Sequence, residues 1–159
     1  MASGSIWFGA YLARLLTTYQ LFKETELILK DFLNSSNLPA VNEVLSPLIY
    51  LTTVSYLIMI VSFTIFLLMT NLRLKENGWL FIIAAIIYIT LPFESVLITV
   101  DYKLMNLFMT GDFGSKAIKL VTERLTRLSS VPIILILSYI SIPFLLVFKP
   151  FTLKSKDED

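Results

Sequence analysis

Glu94 is the only charged residue between Gly78 and Val100, and Asp101 follows it by seven positions. On an α-helix that interval turns both carboxyls to one face, about 10 Å apart, too far to share a proton directly. Counting about 1.5 Å per residue from Trp79, Glu94 lies roughly 22 Å into an apolar layer of about 30 Å, several ångströms short of the far surface. An acid at such a depth marks a functional site by default. Three readings of it compete. Arg14 is the partner that would neutralise two expensive charges at once and fix the helix arrangement. A proton relay or a cation site needs a water-filled path. In the third reading Pro92 bends the helix, or the span tilts, and Glu94 reaches headgroup water.

Other chemistries lack their residues. With no His and no Cys, haem ligation by His, the usual zinc and copper sites, thiol redox and disulfides are excluded. Five Gly residues form no phosphate-binding loop, and Gly-x-Ser-x-Gly, paired-His and Asp-x-x-Asp motifs are absent. The expectation is no enzyme, no catalytic residue, no metal and no cofactor. A net charge of +1 points to no nucleic-acid partner.

The elements that must hold Glu94, Asp101 and Arg14 follow from hydropathy. Of 159 residues 56% are hydrophobic and 16% charged, with mean hydropathy +0.77. A soluble domain carries about 25% charged residues. Val44 to Leu72 contains no charge, Gly78 to Val100 contains one, and Leu128 to Phe148 contains none. Each run suffices for a transmembrane helix, and continuous apolarity rules out the alternation of barrel strands. Spans are expected at 46–71, with Ser46-Pro47 as cap and first turn, at 78–100 and at 131–148. The short turn from Leu72 to Asn77 makes the first two antiparallel neighbours. After Val100 the second helix is expected to project towards Met109.

Residues 6–22 form either a marginal fourth span or a helix lying in the interface. Phe8, Leu12, Leu15, Tyr19 and Phe22 follow helical spacing, and Arg14, Thr17, Thr18 and Lys23 fall largely elsewhere. An Arg at a span centre costs about 2.5 to 3.5 kcal/mol on insertion scales. A fourth span is favoured because the helices then pair into a closed bundle. From Ile6 to Leu33 no Pro intervenes, so one long helix or a bent pair is expected there, without a cleaved signal peptide. Residues 115–129 read as an amphipathic helix, with Ile118, Val121, Leu125 and Leu128 on its stripe and the basic residues Lys116, Lys119, Arg124 and Arg127 on the membrane-surface side. A polar tail covers 150–159. Seven basic residues on one side against five on the other do not set an orientation by the positive-inside rule.

The fold class expected is therefore an all-α integral membrane protein, a small antiparallel bundle of 3–4 transmembrane helices with an amphipathic interfacial helix before the last span. The hydroxyls of Thr52, Ser55 and Ser62 share a helix face and suit close helix packing. By exclusion and context the expected role is a non-catalytic, multi-pass membrane subunit, an accessory, assembly or regulatory component of a larger complex. Its partners would be the lipid bilayer and other membrane subunits or further copies of the chain. The alternatives are a small ion or proton channel or transporter using Arg14, Glu94 and Asp101, and a lipid-binding or membrane-shaping protein.

Overall fold

The computed structural model describes residues 2–23, 28–34, 36–70, 72–127 and 131–152. The expected helix end at 129, the span end at Asn71 and most of the tail lie outside them. Among the described residues the chain is helical without strands: α1 (Ala2–Tyr19), α2 (Leu38–Met69), α3 (Gly78–Met109), α4 (Ser115–Arg127) and α5 (Val131–Phe148). Two of these, α2 and α3, are long and apolar enough to cross a membrane; a third crossing results if α4 and α5 count as one broken span.

Several boundaries differ from expectation for identifiable reasons. Helix α2 starts at Leu38 because Pro39 already supplies a first-turn signal, so Pro47 lies inside the helix. Its missing N–H is tolerated at an exposed position. Pro92 is likewise exposed, and α3 continues through it without interruption. At 32 residues each, α2 and α3 are about 48 Å long, well beyond an apolar core of about 30 Å. The projection of α3 to Met109 is as expected. Helix α1 does not continue towards Leu33. The chain reverses after Tyr19, where Lys23 N donates to Ile28 O at 2.8 Å and Lys30 N to Leu21 O at 3.0 Å.

Neighbouring helices run antiparallel. Tyr50 Oη donates to Met105 O at 3.2 Å, and further along α2 Thr64 Oγ1 meets Tyr88 Oη at 3.0 Å. Thr90 and Tyr139 join α3 to α5 through their hydroxyls at 3.2 Å. Beyond that contact, Gly78 N donates to Phe151 O at 3.0 Å. Gly4 of α1 lies against Met59, so α1 covers α2 up to that level, and α2 has no buried residue beyond it.

Buried positions on the long helices fall into seven-residue series. On α3 these are Leu80, Ile87, Glu94, Asp101 and Phe108, with Ile83, Thr90, Leu97 and Leu104 beside them. On α2 they are Leu38, Leu45, Thr52 and Met59, with Asn42, Ile49 and Tyr56. On a straight helix such a repeat drifts by about 20° per seven residues, so a seam that stays in contact along a whole helix requires the partner helices to wrap slightly around each other. Two apolar cores result. One gathers Leu21, Phe22, Leu45, Leu104, Phe108 and Val121 around the loop-and-α4 end; the other gathers Trp7, Tyr56, Ile83, Ile87, Leu135 and Tyr139.

The outward faces are apolar too, with Leu68 81%, Met69 79% and Val147 74% exposed. Thr52 and Ser55 of the expected packing face are buried, but Ser62 is exposed. All three hydroxyls donate back to carbonyls of their own helix, at Leu48, Leu51 and Ile58, and do not bridge to a neighbour.

Gly78 is the one glycine at which a side chain has no room, since a Cβ there would stand 2.7 Å from Phe151 Cβ. Gly78→Val is expected to break the bond from position 78 to Phe151 O and to speed amide exchange at position 78, read by hydrogen–deuterium exchange. Unchanged protection would show that the turn after α5 does not rest on this contact.

Candidate functional site

The charges gather at the junction of the two cores, and each arrives there through helical phase. Trp7, Tyr11, Arg14 and Thr18 share one face of α1, and all are buried. Helix α4 turns Ala117, Ile118, Val121, Arg124 and Leu125 inward. Asp101 occupies the buried seam of α3.

Asp101 is 1% exposed and binds both arginines. Arg14 approaches as a fork, Nη1 donating to Oδ2 at 2.9 Å and Nη2 to Oδ1 at 2.5 Å. Arg124 Nε donates to both oxygens, at 2.9 and 3.1 Å. The Arg124 guanidinium also lies 5.9 Å from the centroid of the Tyr11 ring, within cation–π range. A planar guanidinium suits such shared, bidentate binding, and together the contacts fix α1, α3 and α4 to one carboxylate. A cavity of about 10 Å³ adjoins the cluster, lined by Tyr11, Arg14, Thr18, Ile49, Val121 and Arg124. That is about the room a single water needs.

Three expectations are corrected here. The hydrogen-bonding partner of Arg14 is Asp101 and not Glu94, because the face of α1 that carries Arg14 packs at the level of Asp101. Arg124 is not on a basic outer surface: it follows the buried Val121 by three positions and is 8% exposed. The inward face of α1 is Trp7, Ala10, Tyr11, Arg14 and Thr18, whereas Tyr19 of the expected apolar stripe is 45% exposed. Lys116 and Lys119 do lie outside, and Arg127 is accessible as well. Lys116 and Arg127 reach Asp112 and Glu123 at 3.6 Å each, solvent-exposed pairs of little energetic weight.

Glu94 sits two turns from Asp101, 2% exposed, so it does not reach headgroup water. Its Oε1 has no hydrogen-bond partner among the described residues. Around it stand Tyr11, Tyr56 and Tyr139, all within electrostatic reach. Their rings gather on Trp7, with centroid separations of 5.3, 5.4 and 4.5 Å. This aromatic cluster is not among the expectations drawn from the sequence. The available signal was the phase of Trp7, Tyr11 and Arg14 on α1.

Among the described residues no three His, Cys, Asp or Glu side chains come together to hold a metal ion. Compared with family models, curated proteins and solved structures, the chain matches none.

The arrangement makes a pair of mutational outcomes predictable. Asp101→Asn leaves two buried guanidiniums without their counter-charge and is expected to cost about 3 to 5 kcal/mol of stability. Replacing the whole group, as Arg14→Met with Asp101→Leu and Arg124→Met, is expected to recover most of that loss, since apolar groups need no ionic partner. Denaturant unfolding in mixed micelles followed by circular dichroism measures both. A triple variant as unstable as the single one would show that the cluster holds the helices in a way packing cannot replace.

Proposed function

We propose that this chain is a multi-pass membrane protein of non-catalytic type that acts as a subunit of a larger membrane assembly. The observation that carries the reading is the inverted distribution of polarity. Arg14, Asp101, Arg124 and Glu94 are inside, and Leu57, Ile58, Val61, Leu68, Leu137 and Val147 are outside. In water such a surface far exceeds the apolar patch of an ordinary monomer, and in a bilayer it needs no further cover. Charged side chains within membrane spans characteristically face the bundle interior and pair there.

Within this reading α2, α3 and α5 cross the bilayer, and α1 packs along α2. The core around Leu104, Phe108 and Val121 forms a cap at one membrane face. The subunit role rests on α5. Between Val131 and Phe148 it carries no charge, and it buries Leu135, Tyr139 and Leu145 while leaving Ile133, Ile134, Leu137 and Phe144 outside. Nothing among the described residues supplies a substrate-sized cleft at the charge cluster, so contact with lipid or protein is the activity left to these faces. The ion pair is then the device that fixes their relative positions.

Two measurements test the proposal. The chain is expected to stay with the membrane pellet through alkaline carbonate washing; release into the supernatant would remove the membrane reading itself. After gentle detergent extraction, native mass measurement is expected to give a species heavier than one 18.1 kDa chain. A photo-crosslinker in place of Leu137 should capture a neighbour within it. A monomer that forms no crosslink would refute the subunit role.

A further inference from the structure

Glu94 is used by none of the contacts that hold the helices together. Asp101 already engages both arginines, and Glu94 Oε1 accepts no hydrogen bond among the described residues. The groups facing it come from every helix of the bundle: Tyr11 and Arg14 from α1, Tyr56 from α2, Asp101 from α3 itself, Arg124 from α4 and Tyr139 from α5. The phenols of Tyr11, Tyr56 and Tyr139 gather on the Trp7 ring, and the phenolic oxygens of Tyr11 and Tyr56 are themselves buried without hydrogen-bond partners among the described residues. An ionised carboxylate in such a place is stabilised only by arginines already committed to another anion, and burying a charge without donors costs several kcal/mol. A carboxylic acid avoids that cost, because the neutral form needs no counter-charge.

We propose that Glu94 is a proton-binding site, its carboxylate taking up a proton from water to form the acid, and giving it back by the reverse step. The ligand is the proton itself, which needs no cavity at a residue only 2% exposed. A small cavity lined by Tyr11, Arg14, Thr18 and Arg124 lies beside the ion pairs, and we place the exchange of the proton with water on that side. Loading changes the net charge of the cluster, because two guanidiniums face one carboxylate when Glu94 is an acid and two when it is ionised. The site thus couples a single proton to the electrostatic balance of the ion pairs that join α1, α3 and α4.

The proposal rests on the membrane reading, which carbonate washing tests separately. Wild type and Glu94→Gln, each reconstituted in phosphatidylcholine vesicles, are compared by infrared difference spectroscopy at neutral pH. The expected result is a carbonyl band of a protonated carboxylic acid in the wild type that Glu94→Gln lacks. In heavy water that band is expected to shift as the site exchanges its proton. Absence of the band, or a band that never shifts, overturns the proposal: the first means an ionised Glu94, the second a sealed acid that binds and releases nothing. Glu94→Gln copies the shape of the acid form and is expected to keep wild-type helicity and thermal stability. If it fails to fold, the fold depends on the ionised carboxylate and the proposal is equally overturned.

Discussion

Removing a charge from water costs several kcal/mol unless an opposite charge meets it in good hydrogen-bonding geometry. Asp101 meets that requirement for two arginines at once, and for itself, through four short N–H···O contacts. The positions of α1, α3 and α4 follow from it. A rotation of any of these helices by one residue, about 100°, would leave at least one guanidinium among leucines and isoleucines. Apolar packing alone tolerates sliding and re-packing of similar side chains, and the shared carboxylate does not. Whether it also stabilises the fold relative to an all-apolar core is a separate matter, since buried ion pairs are often replaceable without loss.

The seven-residue spacing of buried positions explains how one carboxylate can organise so much chain. Leu80, Ile87, Glu94, Asp101 and Phe108 lie along a single seam of α3, so the charged pair occupies places that leucine or phenylalanine fills elsewhere. Trp7 and Arg14 on α1, and Ala117 and Arg124 on α4, repeat the pattern, with the charge one interval beyond a buried neighbour. Polar and apolar seam positions are thereby interleaved in one register. Ser55 and Thr52 add to the seam of α2 without forming cross-helix bonds, their hydroxyls being satisfied by the preceding turn.

Much of this was legible in the residues. The uncharged run of α2, the tight turn before Gly78, the projection of α3 past Val100, the amphipathic start of α4 at Ser115 and the limits of α5 all follow from hydropathy and breakers. The shared face of Glu94 and Asp101 followed from their interval. What could not be read was which carboxylate Arg14 would meet, because that depends on the axial offset between α1 and α3, and helical phase is blind to offset. Arg124 was misplaced for a related reason. A rule that sends the basic residues of an amphipathic helix to its outer face fails where an arginine three positions after Val121 finds an anion within. The start of α2 was expected at Ser46-Pro47 and lies at Leu38, where Pro39 stands in the first turn and Asn42 and Leu45 extend the buried face.

Helix α3 passes without a break from the core around Ile83 and Ile87 to the core around Leu104 and Phe108. Both cores are therefore built on one continuous helix. A displacement of α3 at the end around Leu104 and Phe108 would also move the segment that carries Glu94 and Asp101. The two cores share the same pair of long helices, α2 and α3, so neither core belongs to a separate set of elements.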